Sequence, residues 1–160
     1  MASIGNDGLL QQLPEIDRTS RIAIIKTEWN NAITDKLEEG ARLVLQQQGI
    51  MQVKTYVVPG AVEIPYAIRQ IDQSAKSRAQ AYIAFACVIR GDTPHFDYVC
   101  QSITDGITAL NLKLDAPVIY GVLTVNTEAQ ALERIGGIHG HKGEEAAITA
   151  IKMIKLRSSL

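Results

Sequence analysis

One stretch of the chain reads CVIRGDTPHFDYVC, Cys87 to Cys100. An arginine, a glycine, two small polar residues, a proline and His95 follow directly on an apolar run. Gly91 allows a sharp exit and lets a ligand approach bare backbone. Thr93 has the chemistry of an N-cap, and Pro94 suits the first helical position. The free N–H groups and positive dipole end of such a helix attract an anion, most simply a phosphate. Asp92 fits an anion poorly, so its carboxylate must point away or the anion must be held by backbone alone. His95 either takes and returns protons beside that anion or only caps and packs against Phe96.

Other residues pose similar choices. Glu63, in PGAVEIP, either complements a helix dipole or accepts hydrogen bonds from ligand hydroxyls. Trp29 lies in a polar turn and is either a core residue or a face on which a planar ring stacks. Arg134 either forks onto a phosphate or is solvated on a helix. Lys142 lies in a glycine-rich loop that lacks the GxxxxGK[ST] spacing of a nucleotide P-loop; a Schiff-base lyase using Lys142 is a further reading. His139 and His141 form an HxH pair, but no cysteine or carboxylate spacing joins them with His95 into a metal site, and no metal is expected. Cys87 and Cys100 belong to no CxxC pair and read as buried thiols of a reducing compartment.

These residues need a scaffold. The chain has 160 residues, which suits one domain. Its net charge of −1 gives no electrostatic reason to expect nucleic acid or an anionic membrane as partner. No apolar run is long enough to span a bilayer. The start, MASIGNDGLLQQLPEID, has neither a basic flank nor a long apolar region, so a cytoplasmic protein is expected.

Strands are predicted at RIAIIK (21–26), MQVKTYVV (51–58), AQAYIAFACVI (79–89) and APVIYGVLTV (116–125). Between them, Ile33, Leu37, Ala41 and Val44 recur at the helical period, as do Ile64, Ile68 and Ile71, and then Val99, Ile103, Ile107, Leu110 and Leu114. TEAQALERI predicts a short helix, GGIHGHKG a loop and EEAAITAIKMIKL a last helix. Nearly continuous apolar strands separated by helices predict an α/β fold. It is a flavodoxin-like three-layer α/β/α sandwich with a four-stranded parallel sheet. Ligands bind such sheets outside the carboxyl ends of the strands. That rule selects TEWNN, PGAVE, VIRGDTPH and YGVLTVN.

Together EWN, PGAVEIP, CVIRGDTPHFDYV, YGVLT, ALERIGG and GHKGEEAA, in this order from about Arg21 to the end, resemble the lumazine synthase family. Any one motif is weak, but all six in register are specific. The resemblance implies condensation of 5-amino-6-(D-ribitylamino)uracil with 3,4-dihydroxy-2-butanone 4-phosphate, a step of riboflavin biosynthesis that needs no cofactor. It assigns pyrimidine stacking to Trp29, and the ribityl chain and ring to Ala61, Val62 and Glu63. Cys87, Val88 and Ile89 line the pyrimidine pocket, Asp92 and Thr93 bind phosphate, and His95 transfers protons. Tyr120 and the phosphate-binding Arg134 come from a neighbouring subunit, and Lys142 matches the lysine of a Gly-Asn-Lys-Gly loop. Trp29 and Tyr120 stand where phenylalanine is frequent, His141 where asparagine is usual, and Asp92 where a small residue is common.

The family forms homopentamers with active sites between subunits; some members stack twelve pentamers into an icosahedral shell of sixty subunits, and riboflavin synthase is a candidate associate. Residues 1–17, with Leu9, Leu10, Leu13 and Ile16, are read as an arm on a neighbour, and 18–160 as the domain. Strand ends alone also allow a non-catalytic module that holds a flavin or phosphorylated ligand.

Overall fold

The computed structural model describes residues 13–160. Leu9 and Leu10 of the proposed arm lie outside them, whereas Leu13 and Ile16 pack on the hydrophobic core of their own chain.

Four strands, β1 (Ile22–Thr27), β2 (Val53–Val58), β3 (Ala81–Ile89) and β4 (Val118–Val125), form one parallel sheet in the order β2-β1-β3-β4. All four predicted strands are present. Neighbouring residues of a strand face opposite sides, so an apolar strand feeds two cores. On one side Ile24, Ile83 and Phe85 pack with Leu37 and Ala41 of α1 (Asn31–Gln47) and with Ala147 and Ile151 of α5 (Lys142–Ser158). On the other side Ile25, Tyr82 and Ala84 meet Ile64 and Ile68 of α2 (Ile64–Gln73) and Ile103 and Ile107 of α3 (His95–Lys113). The result is the expected three-layer sandwich. From β1 the chain runs outward to β2 and then returns past it to β3. The crevice where the strand order reverses therefore lies at the carboxyl ends of β1 and β3.

Some local expectations need correcting. The segment predicted as a loop folds into a short antiparallel hairpin, β5 (Ile135–Gly137) with β6 (Gly140–His141). Gly136 and Gly140 take φ of 114° and 72°, and the His139 N–H donates to the Glu133 carbonyl, which turns the chain back on itself. The hairpin follows a short helix, α4 (Glu128–Leu132), capped by the Thr127 side chain. Thr93 is not the cap of α3. Pro94 occupies that position, so Thr93 falls one residue too early, and no side chain caps the helix. Nor does Gly91 adopt a left-handed conformation; its contribution is bare backbone, with nothing within 4 Å of a Cβ placed there.

The helices α1 and α5 approach closely. A Cβ on Gly143 would lie 2.0 Å from the Leu37 carbonyl oxygen. Among the described residues, no helix is long and apolar enough to cross a membrane.

Candidate active site

A cavity of about 590 Å³ opens at the carboxyl ends of β1 and β3, where the strand order reverses. Trp29 forms one wall and is 75% exposed, which removes its core reading. Its turn is fixed by backbone geometry. The Glu28 and Trp29 N–H groups donate to the carbonyls of Val58 and Pro59, at 2.8 and 3.3 Å. Thr27 Oγ1 donates to the Trp29 carbonyl at 2.8 Å. Asn30 then takes φ 56°, the left-handed region that asparagine tolerates. Its Nδ2 donates to the Cys87 carbonyl at 2.7 Å. The Trp29 wall is thereby pinned to the end of β3. Thr27 and Asn30 escaped the sequence reading; an asparagine between a strand and a helix start is the one cue that could have found the second.

Beside the Trp29 turn, a 3-10 turn over Ala61–Glu63 links β2 to α2 and brings Ala61, Val62 and Glu63 to the cavity. The Glu63 carboxylate folds back over Gly60, with Oε2 3.0 Å from where a Cβ would stand there. Cys87, Val88 and Ile89 line the floor. Burial, with the Glu128 carboxylate adding to it, pushes the Cys87 thiol up to about 11. At neutral pH it is a protonated, nearly apolar wall and not a thiolate nucleophile.

The third side is the β3–α3 loop. Gly91, Thr93, His95 and Phe96 line the cavity, and His95 is the first residue of α3. Asp92 is exposed and does not line it, in keeping with its poor fit to an anion. Arg90 forks onto Asp97 in the first turn of α3, at 2.8 and 3.3 Å. The cavity thus combines a planar apolar face, a free carboxylate, an imidazole and an uncapped helix start. That set can hold an aromatic amine beside a phosphorylated partner and move protons between them.

Three predicted residues stand elsewhere. Tyr120, on β4, is partly exposed, its hydroxyl 3.1 Å from Thr104 Oγ1. Arg134, between α4 and β5, donates from Nη1 to the Gln130 carbonyl at 2.6 Å. Lys142, at the start of α5, pairs with Glu145 at 2.7 and 2.9 Å. None of them lines this chain's cavity. His139 and His141 sit in the same hairpin region, each with a buried Nδ1 that has no hydrogen-bond partner among the described residues.

The family model described as 6,7-dimethyl-8-ribityllumazine synthase matches residues 19–158. A 6,7-dimethyl-8-ribityllumazine synthase of Parabacteroides distasonis is 44% identical over 153 residues, covering 90% of this chain and 94% of the relative. The enzyme of that name from Phocaeicola vulgatus is 49% identical over 142 residues, 88% of this chain and 83% of its own length. One from Porphyromonas gingivalis is 49% identical over 138 residues, 85% and 84% of the two chains.

Proposed function

The chain belongs to the 6,7-dimethyl-8-ribityllumazine synthase family, and on that premise we propose how its cavity holds the two substrates. It is a transferase of riboflavin biosynthesis. It condenses 5-amino-6-(D-ribitylamino)uracil with 3,4-dihydroxy-2-butanone 4-phosphate to 6,7-dimethyl-8-ribityllumazine, releasing phosphate and water. The non-catalytic binding module is not favoured.

The pyrimidine ring stacks on Trp29 over a floor of Cys87, Val88 and Ile89. The ribityl hydroxyls meet Glu63 and the backbone of Ala61 and Val62. The phosphate lies against Thr93 and the start of α3, with Asp92 contributing backbone only. His95 relays protons as the amine attacks the ketone, phosphate leaves and the ring closes. Much of the acceleration comes from holding two reactants in register. One observation carries this reading: Trp29, Glu63, Thr93 and His95, from three separated strand ends, surround a single cavity. Crystals soaked with inorganic phosphate and a pyrimidine analogue test it. Both ligands are expected beside His95; ligands lodged elsewhere overturn the assignment.

Tyr120, Arg134 and Lys142 complete the site from a neighbouring subunit. The Lys142 N–H donates to the Arg134 carbonyl at 2.8 Å, so a neighbour that supplies one supplies the other. Exposed Tyr66, Tyr98 and Tyr120 supply apolar surface for such a contact. The assembly is a homopentamer in the cytoplasm, with 18–160 as the domain; the expected arm over 1–17 is not carried by Leu13 and Ile16, which pack on their own chain's core. Sedimentation is expected to give five subunits or a sixty-subunit shell; a monomer or dimer contradicts this reading. Co-sedimentation with riboflavin synthase tests that association.

A further inference from the structure

Arg90 is the last residue before the phosphate loop, and Asp97 lies in the first turn of the helix after it. Between them are Gly91 and Thr93 of the loop and His95 at the start of α3, all of which line the cavity. The guanidinium grips Asp97 at both oxygens, 2.8 Å from Nη2 to Oδ1 and 3.3 Å from Nη1 to Oδ2. Its Nε donates to Asn126 Oδ1 at 3.2 Å, just beyond the end of β4. Its central carbon lies 4.1 Å from the centroid of the Phe96 ring, which itself lines the cavity. One side chain therefore joins the end of β3, the end of β4 and the first turn of α3, closing the loop into a ring.

Two physical consequences follow. A planar fork held at three points fixes direction as well as distance, which a lysine cannot do. The charge balance also matters. Asp97 stands in the turn where a doubly charged phosphate is expected, and an unpaired carboxylate there would repel it. Its pairing with Arg90 is strong enough to hold the Asp97 carboxyl below the ordinary range.

We propose that Arg90 and Asp97 are positioning residues for the condensation: their ion pair sets the phosphate loop and His95 in register and cancels a carboxylate that would oppose the phosphate. The proposal rests on the placement of the phosphate at this loop. Arg90 touches no reacting atom in this scheme; it acts through the loop.

Steady-state kinetics of Arg90→Ala, Asp97→Ala and the double variant in the full-length protein test it. Each single change is expected to raise KM for the butanone phosphate about 10-fold or more and to lower kcat, with KM for the pyrimidine little changed. The double variant should match Asp97→Ala within about 2-fold, since one clamp is lost only once, and Arg90→Ala, which leaves the Asp97 carboxylate unpaired, should be the most impaired of the three. Asp97→Glu should recover much of the loss, and Arg90→Lys little of it. Both side chains are substantially exposed, so these variants are expected to fold. If Asp97→Ala keeps the parent KM while Arg90→Ala does not, Arg90 is a direct phosphate ligand and the clamp is wrong. Losses that multiply in the double variant, or parent kinetics in both singles, also overturn it. His95→Ala separates this from the site assignment: unchanged kcat in that variant refutes the role of His95 whatever Arg90 does.

Discussion

The cavity at the ends of β1 and β3 and the hairpin region beyond β4 were built to different rules. Around the cavity, three loops from separate strands converge and leave a tryptophan, a carboxylate and an imidazole facing open space. Beyond β4, the two cations are already engaged. Arg134 is bonded to Gln130 and Lys142 to Glu145, and the His141 ring fills the space over Gly40. The first region is arranged to receive ligands. The second is braced against α1, with its cations held by partners in the same chain. The contrast teaches that the cavity and the cations Arg134 and Lys142 are separate in one chain, which is what a site shared between subunits, as proposed above, would require.

The largest effect should come from His95. His95→Ala is expected to lower kcat by about 10- to 10⁴-fold while substrate binding is largely kept. Equal turnover of variant and parent would remove the imidazole from the chemistry. On the braced side, Gly143→Ala should destabilise the fold by roughly 1–3 kcal/mol, because its Cβ would meet the Leu37 carbonyl at 2.0 Å. Chemical denaturation measures this, and a midpoint equal to the parent's would show that α1 and α5 can part without cost.

Arg134→Ala joins the two regions. It should raise KM for the butanone phosphate by about 10-fold or more, and KM for the pyrimidine much less. Mixed assemblies of His95→Ala and Arg134→Ala chains sharpen the point. If the site is shared, about a quarter of subunit contacts in a random mixture carry both intact residues, and activity should reappear. Mixtures no more active than the separate variants would return both residues to one chain.

The smallest effect concerns Cys87. Its thiol is raised from 9.0 to about 11 in the folded chain. A group raised in this way contributes stability that is complete below the unfolded value and is lost as pH climbs toward the folded one. Stability should therefore fall between pH 9 and 11, and Cys87→Ala should flatten that slope. An unaltered slope would show that the cavity floor does not depend on a protonated thiol.

The same division separates what the residue order reveals. Strands such as IAIIKT and AYIAFACVI are apolar throughout, and an apolar strand is legible wherever it occurs. The strand-end rule then selected TEWNN, PGAVE, VIRGDTPH and YGVLTVN before any contact was known; the cavity lies where the first three meet, and YGVLTVN does not line it. Local chemistry misled at Thr93, where Pro94 took the capping position, and in GGIHGHKG, where two left-handed glycines made a hairpin of an expected loop. Thr27 and Asn30 left little trace, because their work is done through hydrogen bonds to carbonyls. Any polar residue can make such bonds, and only the fold supplies the partner.

The linear order of residues alone determined the class of the fold, the order of its main helices and sheet strands, and three segments that line the cavity. Each of these follows from periodicity and side-chain type, which are properties of neighbouring residues. Tertiary structure alone decided that Trp29 faces open space, that Asn30 holds the end of β3, that Arg90 ties the β3–α3 loop to Asp97, and that Arg134 and Lys142 stand apart from the cavity. Those facts depend on distances between residues remote in the chain, and such distances exist only once the sheet has been assembled and its helices packed.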